Sequence, residues 1–173
     1  MDFFSELLKY TIPAATVLIG VYALFKTGFE NLIALQQQQK SVDLSKEVLP
    51  MRLQAYERII LYLERITPNN LIVRLNDKSF NVAQFQSLLV NEIREEFNHN
   101  LSQQIYMSDQ AWEMVRKTKE EIIALINDAA KPLNAEDTSF ELSKSIFQKV
   151  LDTEEDFVGT TLSFIKQEAR QLF

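Results

Sequence analysis

The chain has no cysteine, one histidine, three glycines and four prolines among 173 residues, and each shortage removes a class of chemistry. Without a thiol there is no disulfide framework, no thiolate nucleophile and no cysteine-ligated metal, which agrees with a reducing compartment. With only His99 as a histidine and no Gly-x-Ser-x-Gly turn, nucleophilic catalysis finds no support. Three scattered glycines cannot form a loop that cradles phosphate. Positive charge is scarce too: eighteen Lys and Arg face twenty-four Asp and Glu, a net of -6. From Lys26 to Ile66 six basic residues balance five acidic ones, whereas from Thr67 to Phe173 seventeen acidic residues outnumber eleven basic ones. A body this acidic, without clustered Lys and Arg, argues against nucleic acid as a partner and stands off anionic lipid. What the chain has in quantity is Leu, Ile, Glu, Gln, Lys and Arg, which favour long helices, and nowhere does it show the sustained alternation of a sheet.

Long apolar runs are absent but for one. Tyr10 to Phe25, YTIPAATVLIGVYALF, holds sixteen uncharged residues between Lys9 and Lys26. As a helix it covers roughly 24 Å at about 1.5 Å per residue, short of the ~30 Å hydrocarbon core. Phe3, Phe4, Leu7 and Leu8 make up the shortfall by extending the span or by lying in the headgroup layer. Pro13 falls in the first turn of a helix that starts after Thr11, where its missing N–H does no harm. Tyr10, Tyr22 and Phe25 sit near the two ends, where aromatic rings favour the interface. The run therefore predicts a single membrane helix, with the lipid bilayer engaged through residues 10–25. A cleaved signal peptide fits less well, because Asp2 and Glu6 stand where a basic leader would carry Lys or Arg. Lys9 precedes the run while Lys26, Lys40, Lys46 and Arg52 follow it, so the positive-inside bias places the N-terminus outside and the C-terminal body in the cytoplasm.

Behind the run the chain reads as helices. Leu32, Leu35, Val42, Leu49, Leu53, Tyr56, Ile60 and Leu63 follow a three-four spacing, with Gln39 and Lys46 in the same stripe. This heptad-like seam predicts a bundle helix or a self-associating coiled coil. Pro50 interrupts the hydrogen-bond ladder without shifting the phase of the seam, which predicts a kink. From Met51 to Ile66 apolar residues cover most of the circumference, which makes the stretch central, and Thr67-Pro68 ends it. Pro68 can start a short turn through Leu71 to Leu75. Asn81 and Gln84 have capping-box spacing and Phe80 and Phe85 that of a hydrophobic staple, so a helix begins at Val82. Its apolar row is Phe85, Leu89, Ile93, Phe97 and Leu101, with Ile105 in line beyond them, and it runs to about Tyr106. Ser108 and Asp109 open another helix, lined by Trp112, Val115, Ile122, Ile123, Ile126 and Ala130 until Lys131-Pro132 stops it. Thr138 and Glu141 repeat the capping-box spacing, and the apolar period beyond them is one helix or two parted near Asp152-Thr153. The expected fold class is all-α, with an N-terminal single transmembrane helix in residues 1–25 that continues through a juxtamembrane helical stalk in 26–49. An antiparallel three- to four-helix bundle follows in 50–173.

The stretch Glu92 to Trp112, EIREEFNHNLSQQIYMSDQAW, departs from the pattern of apolar inside and polar outside. On a continuous helix Glu96, Asn100 and Gln104 form a polar row beside Ile93, Phe97 and Leu101. Buried amides need partners, so the row reads as a satisfied network that fixes helix register, or else as a site for a ligand or partner. Glu96-x-x-His99 has the spacing seen in carboxylate-bridged di-iron bundles, but those repeat the motif and add two further glutamates, and this chain has no second histidine. His99 lies well round the helix from the buried row and is expected as an exposed pair with Glu95. The candidate site residues are therefore Glu96, His99, Asn100 and Gln104, with interaction as their role; no catalytic residue, metal or cofactor is expected.

The segments LPMRLQAYERIILYLERITP and EFNHNLSQQIYMSDQAW resemble the two signature regions of a family of uncharacterised bacterial proteins, known only as a domain of unknown function. The resemblance spans nearly the whole chain and implies one N-terminal membrane helix and a helical body, with no activity attached. The expected function is that of a membrane-anchored cytoplasmic helical protein, an interaction, scaffold or accessory subunit of an inner-membrane assembly without catalytic activity. Its expected partners are an unknown protein in the membrane and a second copy of the chain along the Leu32 to Leu63 seam. The alternative is a small metal-binding or enzymatic bundle centred on Glu96 and His99.

Overall fold

The computed structural model describes residues 2–153 and 156–172, without the side chains of 2–15, 17, 19 and 33–47. Its elements are helices throughout: α1 (Asp2–Ile66), α2 (Pro68–Leu75), α3 (Val82–His99), a 3₁₀ helix (Leu101–Tyr106), α4 (Asp109–Ala130), α5 (Ser139–Asp152) and α6 (Phe157–Arg170). Among the described residues the only strand-like pairing is one antiparallel bridge between Asn81 and Thr138. The chain divides into two compact units, the first ending at Val48 and the second beginning at Leu49.

The first unit consists of α1 up to Val48. Of the expected membrane span only Thr16, Leu18 and residues 20–25 have described side chains, and the rest lies outside the described residues. Among those described, no helix is long and apolar enough to cross a membrane. Leu18, Val21, Tyr22, Leu24, Phe25, Phe29 and Leu32 all stand exposed.

The second unit is a helical bundle. Its core takes Ala55, Tyr56, Ile59, Tyr62, Leu63 and Ile66 from α1, a single face at helical spacing. Leu61 is exposed, so the apolar residues around this part of α1 are not buried on every side; one face carries the packing. The C-terminal members of the seam, Tyr56 and Leu63, lie inside the chain's own bundle and offer nothing to a second copy. Phe85, Leu89, Ile93 and Phe97 of α3, Val115, Ile122 and Ile126 of α4, Leu142 and Ile146 of α5, and Leu162 and Ile165 of α6 complete the core. α4 packs against α3, α5 and α6. The long helices of this bundle number more than the three or four expected, because the last apolar stretch is split.

Local chemistry explains the boundaries. α1 runs without a break through Pro50. Pro68 stands in the first turn of α2, where no N–H is needed. Asn81 accepts the Gln84 amide at 2.9 Å while the Gln84 side chain accepts the Asn81 amide at 3.2 Å, so the expected capping box is formed. The box expected at Thr138 is not. Its hydroxyl makes no capping bond, and the Glu141 amide donates to the Thr138 carbonyl at 3.1 Å instead. The Val82 amide donates to Asp137 O at 2.8 Å, and Ser139 donates its amide to Phe80 O at 3.1 Å and its hydroxyl to Asp77 O at 2.8 Å. α6 begins afresh at Asp156, whose carboxylate accepts the Gly159 amide at 2.8 Å. A Cβ on residue 159 would lie 2.1 Å from that carboxylate, so glycine here makes room for the cap.

Asn81→Ala removes the capping acceptor, and also the amide that donates to Glu136 at 3.1 Å. It is expected to lower unfolding free energy by about 1 to 2 kcal/mol in urea titration, with the helical far-UV spectrum unchanged.

Candidate functional site

The polar row read on the sequence begins near the end of α3, where Ile93 and Phe97 are buried and the residues after them are Asn98, His99 and Asn100, poor helix formers. Asn100 is only 8% exposed. Its backbone amide turns to Phe97 O at 3.0 Å, and its side-chain amide donates to Glu96 O at 2.8 Å. That carbonyl is the one a continuing helix would pair with the Asn100 backbone. By taking it, the side chain ends α3 one residue earlier, and the Gln103 amide then bonds Asn100 O at 3.0 Å to open the 3₁₀ helix. The expectation that α3 reaches Tyr106 is therefore corrected.

The break redistributes the row. Gln104 was expected on the packed side between Phe97 and Leu101; it is exposed, and its amide donates to Leu101 O at 2.9 Å. Gln103 is buried in its place, with Nε2 on Ser102 Oγ at 3.1 Å. Leu101 and Ile105, read as core, are exposed. Glu96 is half-buried and holds Arg65 of α1 at 2.5 Å. His99 is exposed at the end of α3, and among the described residues it makes no ion pair with Glu95. The structure thus joins Glu96 with Asn100 through one carbonyl and leaves His99 and Gln104 apart. Among the described residues no group of three His, Asp or Glu side chains converges to hold a metal ion.

Two features beside this row escaped the sequence reading. Phe97 stacks on Trp112 with centroids 5.2 Å apart and meets Tyr62 at 6.0 Å in a tilted arrangement. The Lys119 ammonium lies 4.3 Å from the Phe97 centroid, a cation–π contact in a largely desolvated position, and also pairs with Glu120 at 2.8 Å. Into this aromatic junction Tyr62 brings a hydroxyl that is buried without a hydrogen-bond partner. Burial, and then the negative charges of Glu96 and Glu120, push that phenol well above its usual range, so it stays neutral.

The second feature is a clamp on Glu168 of α6. Its Oε1 accepts from the Tyr56 hydroxyl at 2.5 Å and from the Ser108 amide at 2.8 Å, while Oε2 accepts from the Ser108 hydroxyl at 2.6 Å. Ser108 in turn caps α4 by accepting the Ala111 amide at 3.1 Å. Arg52 donates to Tyr106 O at 3.2 Å nearby. Burial alone would raise the Glu168 carboxyl, but the bonds from Ser108 and Tyr56 outweigh it and hold the group below its ordinary value. Burial, and then the bond to Glu168, pushes the Tyr56 phenol up to about 12. A carboxylate so fully bonded has no proton to exchange near neutral pH; it fastens α1, α4 and α6 to one another. Elsewhere an apolar cleft of about 310 Å³ opens between Pro68, Leu125, Phe147, Val150, Phe157 and Val158. Asp156 at its edge is engaged in capping α6.

The chain belongs to the family of unknown function DUF7935, whose model matches residues 2–172. No curated protein and no solved structure matches it.

Glu168 has a folded pKa below its unfolded value, so its contribution is fully present above the unfolded value and disappears as pH falls through the folded one. Melting curves of the parent and of Glu168→Gln should therefore differ most near neutral pH and converge only once the pH has fallen through the lowered folded value, beneath the ordinary glutamate range. Tyr62→Phe removes a buried hydroxyl that has no partner, and its melting temperature should equal or exceed the parent's. A clear drop would show that the hydroxyl is bonded.

Proposed function

We propose that this family member is a membrane-tethered accessory subunit, anchored in the inner membrane of a bacterium by the Tyr10 to Phe25 run, with its helical bundle presented to the cytoplasm as a docking body. The observation that carries the reading is the set of large apolar side chains left in water on α1: Leu18, Val21, Tyr22, Leu24 and Phe25 are 52 to 77% exposed. Burying one side chain of this kind contributes roughly 1.5 to 3 kcal/mol, so hydrocarbon around all five would be strongly favoured. Lys26 and Glu30 follow at once, where a helix leaving the bilayer would carry its first charges. The excess of Lys and Arg behind the run supports a cytoplasmic body.

A binding role for the bundle is supported by the way its half-buried carboxylates are engaged. Glu168 is saturated by donors and Glu96 is paired with Arg65, so neither is poised for acid–base chemistry. The exposed Leu101 and Ile105 of the 3₁₀ helix and the cleft beside Phe147 and Phe157 offer apolar contacts to a protein partner.

The parent chain should sediment with membranes and resist carbonate extraction. Leu18→Lys should shift a large part of it to the soluble fraction, because a charge at the centre of the run costs about 2.5 to 3.5 kcal/mol. Val73→Lys, at an equally bare position on α2, should leave it in the pellet. A soluble parent chain would overturn the anchor, and a C-terminal reporter active only outside the cytoplasm would overturn the orientation.

A further inference from the structure

We propose that α1 pairs in parallel with α1 of a second copy, along a stripe made by Leu18, Val21, Phe25 and Leu32. Counted in sevens from Leu18, Phe25 and Leu32 repeat the first position and Val21 and Gly28 the fourth, the two positions that form the seam of a coiled coil. In the sequence the same count continues through Leu35, Gln39, Val42, Lys46 and Leu49 to Leu53, Tyr56, Ile60 and Leu63. At its C-terminal end the chain itself covers the seam, since Tyr56 and Leu63 are buried in the bundle. At Leu18 to Leu32 the stripe is bare.

Hydrocarbon does not account for the whole of it. Lys26, Thr27 and Glu30 occupy the opposite face, and Phe29 and Leu32 lie beyond the first charges, where an apolar face requires protein rather than lipid. Gly28 adds a second observation. A glycine inside a helix costs about 1 kcal/mol relative to alanine, and a Cβ there would meet nothing within 4 Å in the single chain. Nothing internal calls for glycine at this seam position, whereas a closely approaching second helix does.

The composition of the flanks selects a second copy as occupant. Along Leu18 to Leu32 the positions beside the seam are Tyr22, Leu24, Phe29 and Asn31, none of them charged, so identical chains meet there without like charges in apposition. A partner selected by charge would find nothing to read here. The parallel direction rests on the membrane-tethered reading, since two copies inserted alike in one bilayer have their helices aligned.

The absence of cysteine makes the test direct. Phe25→Cys, Leu32→Cys, Lys26→Cys and Glu30→Cys are each introduced into the full chain, expressed, and oxidised mildly in whole cells and in fractions. Disulfide-linked dimers on non-reducing gels should form at Phe25→Cys and Leu32→Cys several-fold more than at Lys26→Cys and Glu30→Cys. Linkage at both stripe positions also fixes the direction, because an antiparallel pair brings a residue against its own copy at only one point. Equal yields on both faces, no dimer, or linkage only to a different protein would overturn the proposal. Fractionation of the same samples keeps the two readings separate: a pelleted chain without stripe dimers rejects the pairing alone, and a soluble chain rejects the anchor whatever the gels show.

Discussion

The bundle depends on a carboxylate that cannot be left unpaired. Glu168 reaches from α6 to the capping serine of α4 and the tyrosine of α1, and each donor it meets belongs to a different helix from its own. An acceptor of this charge in a partly desolvated position stabilises only the arrangement that supplies all its donors, so a shift of any one of the three helices would leave it short. Apolar packing drives the helices together, but it tolerates sliding; the clamp fixes register. The Arg65 to Glu96 pair ties α1 to α3 in the same fashion, and the aromatic contact of Tyr62 with Phe97 lies beside it.

What could be read from the sequence followed from the range of the interaction concerned. Asn81 with Gln84 and Ser108 ahead of α4 act within one turn, so their spacing announces them and the structure has both. The apolar faces of α3 and α4 were legible for the same reason. Asn100 was not, because a helical wheel presumes that the helix goes on; the signal was the run Asn98, His99, Asn100, whose weak propensity was overruled by the apolar period of Leu101 and Ile105. Thr138 had the right neighbour at Glu141, but the Glu141 amide bonds the Thr138 carbonyl rather than its hydroxyl, a choice that spacing alone does not reveal. The Glu168 clamp was beyond reach, since its partners stand 60 and 112 residues away and nothing local marks that glutamate among the others.

The same range argument bears on α1. Its heptad count is uniform along the seam, yet the surroundings of the seam change completely, from buried within a bundle at Tyr56 and Leu63 to bare at Leu18 to Leu32. Periodicity specifies which face is apolar; it does not specify what covers that face. For one part of the helix the chain supplies the cover, and for the other we assign it to lipid and a second copy.

Among the described residues no backbone φ is positive, at glycine or elsewhere. The turns are instead closed by polar side chains, Asn81, Asn100, Ser108 and Asp156 among them. Such a chain carries its topology in hydrogen-bond acceptors and donors at the helix ends rather than in flexible joints. It also begins stiffer when unfolded, because glycine is the residue with most backbone freedom to lose, and so it gives up less conformational entropy on folding than a glycine-rich chain of equal length.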